Sequence, residues 1–330
     1  MIPTNTQHFK GGRCNLLDVV GIGVPCVDLV VNVDRVPLPN ESLRMNNHSW
    51  QGGGVVPTAL VTASKLGSKA GVICIVGDDN FGRFIVEDFE RYGVDCSQII
   101  VEQHKSSPFS VVISDEKTAG RSIIGNLGTV SDLTADDVDW AYIFNSKVLH
   151  VSGSTAIDLK ACKEAQKKGV SVVVDADGFS QRMLELAPYV DYFVASEEFA
   201  EGFAPGQSAA ITAQQIGKLG PKVVVITLGS QGCVLRSRDK TVHIPAFSVE
   251  VQDTLGAGDV FHGAFIHAVL QKWSMEKACR FANAVSALKC TQIGGRSGIP
   301  RFQEVQEFIS SGKISLQDAR SLQQLYQRMP

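Results

Sequence analysis

The run Asp253-Thr-Leu-Gly-Ala-Gly-Asp259-Val-Phe-His-Gly-Ala-Phe265 places small residues, a carboxylate and an apolar stretch in immediate succession. Val260, Phe261, Ala264, Phe265, Ala268 and Val269 have the look of a helix. Gly256, Ala257 and Gly258 at its start let backbone N–H groups come close to an anion, and the helix dipole favours negative charge there. Asp259 alone would read as an ordinary acid in a helix's first turn. Beside an anion nest it can also take the proton of an attacking hydroxyl while the amides hold phosphoryl oxygens. Phosphoryl transfer relies mostly on such positioning and charge stabilisation.

Three further patterns offer ligand contacts. Thr227-Leu-Gly-Ser-Gln-Gly232 follows a buried-looking strand. Its glycines would admit a bound group and Thr227 and Ser230 offer hydroxyls, although Cys233–Arg236 reads as the second strand of a plain hairpin. Gly52-Gly-Gly54 precedes a helix with Thr58 in its first turn. Such a turn suits a polyhydroxylated ligand, or merely a backbone that needs positive φ. Asp28 in an apolar stretch suits sugar hydroxyls, whereas the general rule for a charged residue on a strand is exposure. Gly21-Ile-Gly23-Val-Pro-Cys26 is a poor dinucleotide fingerprint, because Cys26 stands at the third glycine position and β-like residues follow. No G-x-x-x-x-G-K-[ST] loop occurs. His262 falls near Asp259 and is assigned no role.

Positioning these residues requires a sizeable core, and 330 residues with 44% hydrophobic and 20% charged content provide for one. A net charge of −3 implies no general attraction to nucleic acid or anionic membranes. The eight cysteines are scattered without C-x-x-C pairs or zinc spacing, which suggests reduced thiols and, with a polar Met1–Asn15 lacking an apolar stretch, a cytoplasmic location. The apolar runs are far shorter than a membrane span.

Strand-like runs at 16–22, 70–76, 99–101, 147–151, 170–174, 192–195 and 222–227 alternate with helical ones, notably 81–91, 156–168, 181–187, 208–219 and Met275–Cys290. That alternation predicts an α/β fold with a doubly wound, mostly parallel sheet. The β-like stretches at 28–50 and 109–126 break it, and predict a small sheet projecting over the strand ends, or else two edge hairpins. Residues 1–15 read as a loose tail. Two weaker helices close the chain, the last assigned to 311–330.

Together these pieces resemble the ribokinase or PfkB family of carbohydrate kinases over residues 16–310. The 253–265 string is similar to the family's C-terminal signature, Gly52–Gly67 to its N-terminal glycine motif, and Gly77-Asp-Asp-Asn-Phe-Gly82 to another recurrent segment. The resemblance implies a ribokinase-like body with a β-sheet lid, ATP as donor, Mg²⁺ as cofactor and a homodimer joined through the lids. It implies Asp259 as general base and Gly256, Ala257 and Gly258 as the anion hole. Asp28, Gly53, Gly54 and Thr58 would face a small sugar; Arg121 and Asn126, on a lid strand, are candidates for contacting it, the alternative being a plain exposed arginine on an edge strand. Thr227, Gly229, Ser230, Gly232 and Ser196 would line the ATP site, with Asn283 and Ser286 near adenine.

Asp253 matches a position that holds a monovalent cation in some members, which brings in K⁺. The family's Asn-x-x-Glu segment stands here as Ser196-Glu-Glu-Phe199, so Glu197 becomes the Mg²⁺ candidate. Thr58 stands where many members carry Asn. Residues 287–300 look most like the sulfofructose kinase branch, which points to a ketose or ketose acid. A nucleoside kinase of the same family and a non-catalytic sugar or nucleotide sensor are the alternatives. A nicotinamide-dependent dehydrogenase rests on Gly21 and Gly23 alone.

Overall fold

The computed structural model describes residues 6–8, 16–115, 117, 120–238 and 240–328. In chain order the first half contains β1 (Thr6–His8), β2 (Leu17–Ile22), β3 (Cys26–Val33), β4 (Asn47–Gly53), α1 (Val55–Lys65), β5 (Ala70–Gly77), α2 (Asn80–Arg91), β6 (Asp95–Glu102), β7 (Phe109–Asp115), β8 (Arg121–Asn126), α3 (Trp140–Phe144) and β9 (Ser146–Val151). Then follow α4 (Asp158–Lys167), β10 (Ser171–Ala176), α5 (Gln181–Leu186), β11 (Tyr192–Ser196), α6 (Glu197–Phe203), α7 (Ala209–Gly217), β12 (Val223–Thr227), β13 (Cys233–Ser237), β14 (Lys240–Ile244), α8 (Ala257–Leu270), α9 (Met275–Cys290), α10 (Phe302–Ser311) and α11 (Ala319–Tyr326).

A ten-stranded sheet runs β1-β6-β5-β2-β9-β10-β11-β12-β13-β14, parallel from β6 to β12 and antiparallel at both edges. Its inner strands are continuous Val and Ile runs because both faces are covered. Val19, Cys74 and Val173 feed a core with Leu60, Phe89 and Phe265 of α1, α2 and α8. Their neighbours Val20, Ile73 and Val172 feed the opposite core with Cys162, Leu186, Phe199 and Ile216 of α4 to α7. Among the described residues no helix is long and apolar enough to cross a membrane, and the seven described cysteines are free thiols.

The stretches that broke the alternation form one separate four-stranded sheet, β4-β3-β7-β8, not two edge hairpins. Its Val30 and Val112 pack on Leu255 and Ile293 of the body. Three expectations change. Thr6–His8 of the supposed tail pairs with Ile100–Glu102, so that edge carries a strand; the rest of residues 1–15 lies outside the described residues. Gly52 and Gly53 belong to β4, paired with Val27 and Cys26, and only Gly54 turns the chain, with φ 94°. Gly312, at φ 74°, ends α10, and the final helix covers 319–326 rather than 311–330.

Helices α1 and α8 cross at Gly263, where a Cβ would run into the Ala59 carbonyl oxygen and lie 2.6 Å from Thr62 Cβ. Backbone cannot yield as a flexible side chain does. Gly263→Ala is therefore expected to destabilise the fold by about 1–3 kcal/mol, checked by the urea midpoint at constant slope.

Candidate active site

From β2 the chain winds one way to β5 and β6, and from β9 the other way to β14. That reversal leaves a crevice beyond the carboxyl ends of β2 and β9, where ligands of open α/β sheets bind. Gly256 caps α8 in the left-handed region, at φ 71°, a conformation that glycine adopts without steric cost. The Ala257 N–H donates to the Thr254 carbonyl at 3.1 Å. Around an imagined Cβ on Gly258, which is exposed, no described atom outside its own stretch of helix lies within 4 Å. The helix end is an open cradle lined by backbone N–H groups, which fits a phosphate.

Asp259, in the first turn, keeps part of its surface open to this crevice. Burial first, then the carboxylates of Asp175, Asp177 and Asp28, push its carboxyl well above the ordinary aspartate range, and Arg121 opposes them. Asp177 is raised in the same way by burial, Asp175 and Glu198. Asp175 lies 3.1 Å from His262 Nε2. The site thus gathers several carboxylates before any nucleotide arrives. Arg121 answers them from the small sheet, reaching the body with a hydrogen bond to Thr254 Oγ1 at 3.3 Å.

Asp28 is only 9% exposed, contrary to the general rule for a charged strand residue. Its carboxylate accepts from Ser110 Oγ at 2.5 Å and from the Cys26 thiol at 3.3 Å. Burial raises its pKa, while those two bonds and Arg296 oppose the rise. A Cβ on Gly53 would strike that carboxylate. Close approach is therefore what calls for glycine at 53, and positive φ is what calls for it at 54. Thr58 is buried, and its hydroxyl accepts from Arg296 Nε at 3.4 Å.

Strand pairing carries the Asp28 face across Ser110 and Val112 of β7 to Arg121, Ile123 and Gly125 of β8. Asn126 falls on the other face, opposite Phe109, and accepts from the Gly128 N–H at 2.8 Å. The structure brings Arg121 to the site and leaves Asn126 away from it.

The 227–232 segment is the turn of an antiparallel hairpin between β12 and β13. Gly229 and Ser230 are exposed, with no atom within 4 Å of a Cβ on Gly229. The Thr227 hydroxyl donates to the Ala195 carbonyl at 3.3 Å. Gly232, at φ 94°, packs on the Ile244 carbonyl, and Asn283 Nδ2 donates to the Ile244 and Pro245 carbonyls at 3.2 and 3.1 Å. Ser286 Oγ donates to the Ala257 carbonyl at 2.8 Å. Helix α9 therefore ties the hairpin to the Gly256–Gly258 nest.

Ser196 caps α6, accepting from the Phe199 N–H at 2.9 Å and donating to the Asp177 carbonyl. Glu197 is exposed in that first turn, and so is Glu198, whose charge with that of Asp175 helps raise Asp177. Asp253 is buried; its carboxylate accepts from the Leu255 and Gly294 N–H groups at 2.8 and 2.7 Å, and its carbonyl from the buried Lys289 ammonium at 3.0 Å.

Sequence reasoning passed over Asp175, Asp177, Glu198, Lys289 and Arg296. The first two had a usable signal, since acids directly after a buried parallel strand sit at the ligand-binding edge. Lys289 and Arg296 had none, because a buried cation is recognised only by the partners that fold around it.

The model of the pfkB family carbohydrate kinases matches residues 16–301. The chain is 31% identical over 293 residues to the ribokinase of Haemophilus influenzae, covering 86% of this chain and 95% of that protein. It is 31% identical over 323 residues to the 5-dehydro-2-deoxygluconokinase of Clostridium perfringens, covering 90% and 94%. Among solved structures, the ribokinase of Thermotoga maritima superposes with a TM-score of 0.77 at 27% identity, covering 89% of this chain and all of that one.

Proposed function

We propose, from the premise that the chain belongs to the pfkB family of carbohydrate kinases, that it transfers the γ-phosphoryl group of ATP to a hydroxyl of a small ketose-type sugar or sugar acid. The observation that carries this reading is Asp259 beside the Gly256–Gly258 cradle, within electrostatic reach of the buried Asp28. Asp28 and the Gly53–Gly54 turn orient the sugar. Asp259 takes the proton of the attacking hydroxyl, and the Gly256 and Gly258 amides stabilise the transferring oxygens; the Ala257 N–H, expected to join them, is held by the Thr254 carbonyl. Gly229 and Ser230 of the hairpin, with α9 behind it, line the nucleotide side. The small sheet acts as the lid, with Arg121 closing over the phosphates.

The carboxylates of Asp177 and Glu198 suit a divalent ion carried on the nucleotide. Mg²⁺, when bound, neutralises the phosphate charge that these acids would otherwise repel. Asp253 does not fit a further monovalent cation. Each carboxylate oxygen accepts one backbone N–H and keeps a further lone pair, but the buried Lys289 ammonium at its carbonyl already supplies the positive charge that such a cation would bring. Replacing KCl with tetramethylammonium chloride at constant ionic strength is expected to change turnover less than about twofold, the size of a weak electrostatic effect. Activation of tenfold or more by K⁺ would refute this.

Lid-to-lid pairing is the oligomer we favour, because all of β8 is exposed at a sheet edge and includes Ile123 and Ile124. A nucleoside acceptor is disfavoured. Trp50, Phe81 and Phe109 stack on one another at 5.2–6.5 Å on the face away from Asp28, so they offer no shelf for a base. A coupled ADP-release screen over D-ribose, 2-deoxy-D-ribose, D-fructose, keto sugar acids, sulfonated ketoses and nucleosides tests the reading. Turnover with a ketose or keto acid is expected. Turnover with nucleosides alone would replace the acceptor, and ATP binding without turnover on any of them would favour the sensor.

A further inference from the structure

We propose that Arg296 and Tyr326 are positioning residues: through Asp88 they link the C-terminal helix α11 to the sugar-facing turn and set its geometry. This rests on the sugar-side reading of Asp28 and Gly53 above. Tyr326 lies beyond the residues that match the family, 16–301.

Arg296 and Asp88 are 1% and 0% exposed. Arg296 Nη1 donates to Asp88 Oδ2 at 2.6 Å, Nη2 to the Gly53 carbonyl at 3.0 Å and Nε to Thr58 Oγ1 at 3.4 Å. Its backbone N–H donates to Gln51 Oε1 at 2.7 Å. One guanidinium thus holds the last residue of β4 and the first turn of α1 together. The other oxygen of Asp88 accepts from Arg91 at 2.7 Å and from the Tyr326 hydroxyl at 2.7 Å, which lies 2.9 Å from the Tyr92 hydroxyl. A Cβ on Gly52 would strike Arg296 Nη1 and come within 2.6 Å of Asp88 Oδ2, so glycine there makes room for the ion pair.

A second route joins the same parts. Gln323 and Gln327 of the C-terminal segment bond Gln292 at 2.7 Å and Asn47, at the start of β4, at 3.3 Å. A buried ion pair is weak evidence for stability, because desolvation offsets its attraction. What it supplies is direction: each donor has one acceptor, and two of the acceptors are backbone or hydroxyl atoms of the turn beside Asp28.

The test uses full-length Tyr326→Phe and Arg296→Lys, with D-ribose and D-fructose as probes and amide hydrogen exchange across residues 47–58. Tyr326→Phe is expected to raise the sugar KM about tenfold, the effect of one lost bond to a charged group. The ATP KM and kcat should stay within about twofold, and amides at 51–58 should exchange faster. Arg296→Lys should do more, because an ammonium cannot reproduce the guanidinium fork. Unchanged exchange at 51–58 in both variants, or equal rises in sugar and ATP KM, would overturn the proposal. Should neither sugar be phosphorylated by the parent, the choice of acceptor fails, and the exchange comparison still decides the linkage.

Discussion

Asp259→Asn is expected to lower kcat by about 10²–10⁴-fold, the range for removing a positioned general base, while sugar and ATP affinities stay within about threefold. The amide keeps the shape and cannot take the proton. The same substitution is expected to raise stability at neutral pH. Burial and the neighbouring Asp175, Asp177 and Asp28 carboxylates hold the folded carboxyl's pKa above its unfolded value. In the pH window between those two values the folded state binds more protons, so the parent loses stability as pH rises through it. Asparagine removes that cost, and the variant should melt higher than the parent at pH 7, the difference vanishing below the unfolded aspartate value near pH 4. For the same reason the acid limb of kcat/KM should lie above the ordinary carboxylate range. Steady-state kinetics and thermal melts across pH check both. Near-parental turnover would remove Asp259 from the chemistry, and a lower melting temperature would show that its charge is not opposed by its surroundings.

Gly53→Ala is expected to cut kcat/KM for the sugar by about 100-fold or more, with the ATP KM within about threefold. The added Cβ would strike the Asp28 carboxylate. Either Asp28 leaves Ser110, its partner at 2.5 Å, or the turn moves. Each lost bond to a charged group costs about 1.5–3 kcal/mol, and the sugar depends on both surfaces. A double-mutant cycle with Asp28→Ser separates the causes. The pair should recover stability lost in Gly53→Ala, because the smaller side chain relieves the collision, and should not recover activity, because the carboxylate is gone. Recovery of activity in the double variant would show that the sugar does not need the Asp28 carboxylate and that the glycine matters only as room beside it.

The collision also shows why part of the site was legible and part was not. Gly256, Gly258 and Asp259 are adjacent in the chain, and a helix start assembles them by local geometry alone. The odd spacing between Arg121 and Asn126 carried its own warning, since strand alternation sends residues so spaced to opposite faces. Gly52–Gly54 was readable as a break, but two of its three glycines lie within a strand and serve side chains from elsewhere. Asp28 looked like a solvated strand acid until folding buried it against Ser110 of β7, with the charge of Arg296 from the distant loop acting on it.

By itself, the order of residues determined the alternation of buried strands and amphipathic helices, the long helix Met275–Cys290 and the glycine-capped start of α8 with Asp259 in its first turn. These depend on periodicity and on neighbours within a few positions. Tertiary structure alone decided that the charges of Asp175, Asp177 and Asp28 act on Asp259, that Lys289 serves Asp253, and that Tyr326 reaches Gly53 through Asp88 and Arg296. The charge state of a buried group depends on what folding packs around it, and those partners come from strands and loops far apart in the chain.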